Sequence, residues 1–297
     1  MEEIHWSEFV ITRLIKAAGY SAILIVSLIF IFLLREGSPA LIEIPLPTIF
    51  SERWYPIEDY FGMLPLIGGS IVVTLGAALI AMPLGISTAI FISEIAPRWA
   101  REILKPMVEV LAGLPSVLLG FLGILVVAPI VRETLNLPTG LTALTGALLL
   151  GAISLPTIVS VAEDALDAVP KTYRDASLAL GATHWQTIWR VTLPAARSGV
   201  LTAVMLGIGR AIGETMTVMM VTGNAPILPQ GLSALVKPIR TMTATIAAEM
   251  GEVANGSVHY HALFLIGITL FVISLIVNLA AASVVFRQRK RAERILS

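Results

Sequence analysis

The 297-residue chain contains no cysteine, so disulfides, thiolate metal sites and cysteine nucleophiles are excluded together. Charge is scarce as well. Only 13% of residues are Asp, Glu, Lys or Arg while 56% are hydrophobic, which leaves too little polar surface for the outer faces of a soluble helical domain. No G-x-x-x-x-G-K-[ST] loop occurs, so ATP binding by that route is excluded and any ATP energy must come from another chain. H-E-x-x-H and G-x-S-x-G are missing too, which leaves the metalloprotease and serine-hydrolase motifs without a counterpart. The N-terminus, with Glu2, Glu3 and Glu8 ahead of Arg13 and Lys16, has neither the basic start nor the small-residue cleavage site of a secretory leader, so the first apolar run is expected to be a retained helix.

What is present is apolar sequence in long runs. A bilayer core of about 30 Å takes about 20 apolar residues as a helix. Six runs meet that length, at residues 17–34, 64–92, 107–131, 141–162, 200–222 and 262–286. The expected fold is therefore an all-α integral membrane protein of six transmembrane helices. Lys and Arg set its orientation, because cytoplasmic loops carry the excess. With the N-terminus inside, 14 fall in inner segments and 5 in outer ones, which predicts both termini in the cytoplasm. Residues 287–297 form a basic cytoplasmic tail, with Arg287, Arg289, Lys290, Arg291 and Arg294.

Two long outer loops stand apart. Residues 35–63 carry Pro39, Pro45, Pro47, Trp54, Tyr55, Pro56 and Tyr60, residues suited to the headgroup layer. In the outer loop 223–261, the amphipathic stretch Thr241 to Val253 reads equally as a surface helix or a re-entrant one. His259 and His261 flank Tyr260; a loop metal site is conceivable there, against the plainer reading of interfacial polar residues.

The longest inner loop, Val169 to Pro194, reads as helix, turn, helix. Asp175 to Leu180 holds helix formers with an acid placed early, and Gly181 suits the positive φ of a helix end. Asp175-Ala176-Ser177, then Gly181, then Val191-x-Leu193-Pro194 keeps the spacing of the E-A-A, Gly, I-x-L-P loop of ABC importer permeases, with Asp for Glu, Ser for Ala and Val for Ile. The chain thus resembles that family. The resemblance implies a type I permease fold, a core at 64–286 with the coupling loop at 163–199, and a distinct N-terminal segment at 1–63. Asp175, Ala176, Gly181, Val191, Leu193 and Pro194 would then form the element that docks on an ATPase.

The fifth run holds Arg210 and Glu214, four residues apart, so one helix face is expected to carry both and let them pair. A charge at mid-bilayer costs about 2.5–3.5 kcal/mol on insertion scales, and such residues face a bundle interior or an aqueous path. Gly207, Gly209 and Gly213 lie beside them; Gly209 and Gly213 have the small-x-x-x-small spacing of close helix packing. The string Gly207 to Met216, with Leu111 to Val117, Thr243 to Ala247 and Ala262 to Phe264, is similar to PstC-type phosphate importer permeases. That resemblance implies phosphate passage past Arg210 and Glu214. It also implies a second homologous permease in a heterodimer, two copies of a cytoplasmic ATP-binding subunit and an extracytoplasmic phosphate-binding protein, all in the cytoplasmic membrane. No cofactor in this chain, no nucleic acid and no enzymatic activity of its own are expected. The rival readings are a permease for sulfate, molybdate or phosphonate, a proton-coupled secondary transporter, an intramembrane enzyme using Arg210 and Glu214 as acid and base, and an ion pair that serves helix packing alone.

Overall fold

The structure is a computed structural model that describes residues 6–296, with side chains for residues 10–280, 282 and 283. Helix α1 (Trp6–Gly37) opens the chain. Its apolar stretch has no proline to interrupt it, and in hydrocarbon a helix is the one local way to pair every backbone polar group. None of its hydrophobic window is buried by the rest of the chain. It lies along the last helix, α11 (Val258–Leu296), through the stacked pair Phe30–Phe271 and the edge contact Phe32–Phe264. The expected basic tail continues α11 to Leu296, and its side chains lie outside the described residues.

The centre of the bundle is α2 (Leu64–Ile90), prolonged by a π-turn at Phe91–Ile95, against α5 (Ala143–Asp167). Glycines let the two approach. A Cβ on Gly76 would lie 2.8 Å from that of Ala147, and one on Gly85 would meet Ile158 at 2.7 Å. With 61% of its hydrophobic window buried, α5 is the most enclosed helix of the described residues. Thr142 caps its start, accepting a hydrogen bond from the Thr145 N–H.

Two of the six expected spans are broken. The run 107–131 is not one helix. It divides into α3 (Arg98–Ala112), which is too amphipathic to count as a span, and α4 (Ser116–Thr134), which contains a π-turn at Gly123–Val127. Pro115 brings no N–H and biases Leu114 away from the helical region, and with Pro115 itself extended (φ −60, ψ 132) the helix ends at Ala112. The run 200–222 divides in the same way into α8 (Arg197–Gly213) and α9 (Met216–Val221), parted at Glu214 and Thr215. Ahead of α8 the loop after α5 forms α6 (Lys171–Ala179) and α7 (His184–Ala195), and α7 meets α8 at a bend of 72°. Five helices are long and apolar enough to cross a membrane among the described residues, with a sixth if α7 and α8 count as one span.

At the end of the bundle opposite the α6–α7 loop a short hairpin pairs β1 (Trp54–Tyr55) with β2 (Tyr60–Phe61). It seats Trp54 and Phe61 in an apolar cluster with Met63, Leu66, Met242 and Leu263. The stretch after Thr241 turns inward. Helix α10 (Met242–Glu249) buries Met242, Thr243, Ala244 and Thr245, and the Met242 N–H donates to Ser70 Oγ at 2.9 Å. Glu249 at its end is the hub of a polar cluster beside the hairpin: Arg240 Nη1 and His259 Nε2 each lie 2.8 Å from its carboxylate, and Trp54 Nε1 donates to it.

Candidate functional site: two helix breaks and a cytoplasmic loop

The two helix breaks lie against each other. Arg210, in the last turn of α8, donates from Nη2 to the Ala112 carbonyl at the end of α3 (3.2 Å) and from Nη1 to Thr157 Oγ1 on α5 (3.1 Å). Thr217, in α9, donates to the Ser116 carbonyl at the start of α4 (2.9 Å). One arginine and one threonine therefore stitch the α3–α4 break to the α8–α9 break.

Arg210 and Glu214 do not pair. Glu214 is the residue where α8 stops: its backbone is extended (φ −69, ψ 129), so the four-residue spacing no longer returns it to the Arg210 face. Its Oε1 accepts the N–H groups of Thr215 (3.2 Å) and Thr217 (3.1 Å), which caps the first turn of α9. Thr243 from α10 fixes the break from outside by donating to the Glu214 carbonyl. Among the ion pairs of the described residues none includes either side chain. Both are half-buried and bonded to neutral partners only, so the guanidinium keeps forked donors for an anion while its charge stays uncompensated.

The three glycines separate by environment. A Cβ on Gly207 would lie 2.4 Å from Ile158, so close packing of α8 on α5 requires the glycine. Gly209 and Gly213 face open space, and their four-residue spacing is not a packing seam within this chain.

The loop carrying α6 and α7 folds by two adjoining caps. At the end of α6 the Ala182 N–H bonds the Ser177 carbonyl and the Gly181 N–H bonds the Leu178 carbonyl, the paired bonds of a Schellman turn, with Gly181 at φ +84. Thr183 then starts α7 through a capping box with Gln186. Asp175, Ala176 and Pro194 are exposed, Val191 and Leu193 half-buried, and Leu193 rests on the cluster of Ala89, Leu166, Ile188 and Val200. Around the exposed positions lie Tyr173, Leu180, Trp185 and Trp189, large apolar side chains open to solvent, with the two tryptophan rings edge to face at 5.6 Å.

Sequence reasoning missed the charges that lock this end of the bundle. Arg101, Lys105 and Arg174 are among the 14 inner-segment cations, and no local sequence pattern gives any of them a partner. In the structure Lys105 reaches Glu163 (2.6 Å) and Asp164 (3.2 Å), and Arg101 reaches Asp167 (3.0 Å) and the carbonyls of Ile92 and Ser93. The hydrogen bond to Glu163, outweighing desolvation, raises the Lys105 pKa above its ordinary 10.5. The available signal was the acid triplet Glu163, Asp164 and Asp167 at helical spacing, which an apolar-window search passes over. His259 and His261 diverge, the second lying 2.8 Å from Glu43, so the two histidines address separate carboxylates.

Residues 81–290 match the family of binding-protein-dependent transport system inner membrane components. A probable ABC transporter permease protein, YqgH of Bacillus subtilis, is 43% identical over 77% of this chain and 74% of its own length. The phosphate transport system permease protein PstC of Mesorhizobium japonicum is 34% identical over 92% of this chain and 88% of its own. Among solved structures, an inward-facing MetNI methionine ABC transporter superposes with a TM-score of 0.57 at 18% identity, covering 79% of this chain and 99% of that one. A bacterial ABC transporter for the acidic polysaccharide alginate gives 0.57 at 16% identity, over 93% and 99%. At those identities the likeness is one of fold, that of the type I importer permease.

Proposed function

Because the chain belongs to the family of binding-protein-dependent transport system inner membrane components, we propose that it is the membrane-spanning permease subunit of an ATP-driven importer of inorganic phosphate. ATP hydrolysis belongs to a separate subunit and substrate delivery to a binding protein. The observation that carries the phosphate reading is the near full-length similarity to a phosphate transport system permease. The site chemistry is compatible with it. Arg210 presents a charged fork beside two helix breaks, and its partners are a threonine hydroxyl and a carbonyl, neither of which neutralises it.

In this reading the anion is drawn past Arg210. Glu214, spent on capping α9, holds the break open and places negative charge near the path, where it disfavours a bare dianion more than a phosphate that still carries a proton. Gly209 and Gly213, open in this chain, leave room for the anion path or for a second permease. The assembly is a heterodimer of two permeases with two ATPase copies, which dock on Asp175, Ala176 and the apolar residues around them. Both termini lie in the cytoplasm, as the Lys and Arg asymmetry requires.

Vesicles containing the reconstituted complex and its binding protein should take up labelled phosphate in an ATP-dependent manner, with sulfate in excess competing weakly. Uptake of sulfate or molybdate in preference to phosphate would overturn the substrate. A reporter fused after Ser297 should be cytoplasmic and one inserted beside Trp54 external.

A further inference from the structure

Helix α6, which the proposed function makes the ATPase-docking helix, buries none of its residues. It therefore has no hydrophobic core of its own to hold it to the membrane helices. Its polar tie is one side chain. Arg174 meets Glu94 at 2.6 Å from Nη2, with Nε also 3.1 and 3.2 Å from the two carboxylate oxygens. The same guanidinium donates from Nη1 to the Val169 carbonyl (2.6 Å) and from Nη2 to the Leu166 carbonyl (2.8 Å).

Those partners belong to different elements. Glu94 sits in the π-turn that ends α2, Leu166 in the last turn of α5, and Val169 just beyond it. Glu94 is 4% exposed and Arg174 19%, so the pair is shielded from water and salt. The other side-chain hydrogen bond of α6 among the described residues, Ser177 to Thr187, stays inside the loop. Meanwhile α2 and α5 already pack along their length through Gly76 and Gly85, so the bundle does not need Arg174 to bring them together.

We infer that the Arg174–Glu94 pair is the strut that transmits displacement of the docking helix α6 to the ends of α2 and α5. Arg174 and Glu94 are thus positioning residues for coupling and touch neither ATP nor substrate. This deepens the permease reading and rests on it. Without the strut, α6 moves with the ATPase while the spans stay behind, so hydrolysis continues and transport per ATP falls. Removing one partner alone strands a buried charge, whereas replacing both by neutral groups of similar shape spares the fold that penalty.

The test is the ratio of ATP hydrolysed to phosphate imported, measured on the whole complex with its binding protein in proteoliposomes, together with ATPase co-purification. Glu94→Gln, Arg174→Gln and the double variant are compared with wild type. The double variant should co-purify with the ATPase at wild-type level and consume at least about tenfold more ATP per phosphate, and a single variant that assembles should do the same. An assembled double variant with an unchanged ratio overturns the inference. So does a double variant that loses the ATPase, because the pair then serves the folding of the loop. If the wild-type complex imports sulfate rather than phosphate, the substrate reading fails alone, and the same ratio is taken with sulfate.

Discussion

At the two helix breaks and at the rim where α3, α5 and α6 meet the chain treats charge in opposite ways. Arg210 and Glu214 lie in one apolar run, yet each is satisfied by neutral groups, a hydroxyl and a carbonyl for one and backbone N–H groups for the other. At the rim, Arg101, Lys105 and Arg174 each meet a carboxylate, and Glu163 and Glu94 are almost wholly buried in doing so. Neutral partners position a charge without cancelling it, which suits the anion-handling role proposed for Arg210. Opposite charges lock elements together, which suits a joint that bears force.

The largest effect expected from this contrast is at Arg210. Arg210→Ala should lower phosphate uptake by about 10- to 100-fold, since a hydrogen bond to a charged group contributes about 1.5–3 kcal/mol. Assembly should persist, because the stitch through Thr217 and Ser116 remains. Thr157→Val removes one acceptor and leaves the charge, so its effect should be no more than a few-fold. Equal losses in both variants, measured as initial rates at matched complex levels, would mean that Arg210 works through its contact with α5 rather than through its charge.

A smaller effect is expected at the rim, where geometry rather than charge sets the turn. A Cβ on Gly181 would meet nothing within 4 Å, but the residue stands at φ +84, so a side chain there fits the space and not the backbone. Gly181→Val should cost about 1–2 kcal/mol locally, the ordinary penalty of left-handed backbone for an L-residue. The loss should appear as weaker ATPase co-purification with normal membrane insertion. Gly209→Ala, at an open site inside a helix, should leave insertion unchanged and stabilise the helix by about 0.5–1 kcal/mol. If the two substitutions weaken docking alike, the Schellman turn is not what shapes the loop.

The apolar runs were legible because length and hydropathy alone decide what can cross a bilayer. The loop spacing was legible because Gly181 and the closing Leu193-Pro194 carry backbone requirements that survive without context. The breaks were not. Gly113-Leu114-Pro115 is a plain stop signal, but it falls inside a stretch apolar enough to read as a span, and Glu214 stops α8 without glycine or proline at its own position. Once α8 ends there, the helical spacing that suggested an Arg210–Glu214 pair has no meaning. The rim pairs join residues 58 to 80 positions apart, which no local pattern encodes. The inward turn of α10 likewise depends on Ser70, far away in sequence.

The smallest effect isolates the rim from the breaks by pH. The folded-state pKa of Lys105 is raised above 10.5, chiefly by its hydrogen bond to Glu163, so the stability gained by the lysine's own charge is fully present below its unfolded value and is lost as pH rises through the folded one. Nothing at this lysine should therefore change between pH 6 and about pH 10, the range below the ordinary lysine pKa. The amplitude above that range is limited, because the Lys105 side chain is 40% exposed and water screens it. Lys105→Arg supplies the reference, since a guanidinium stays charged across the whole range. Thermal unfolding of the purified complex should give a constant difference between wild type and Lys105→Arg up to about pH 10, then a drift against wild type as the ammonium deprotonates. A difference that changes between pH 6 and 9, or that moves in favour of wild type at high pH, would show that Lys105 does not lock α3 to α5 through its charge.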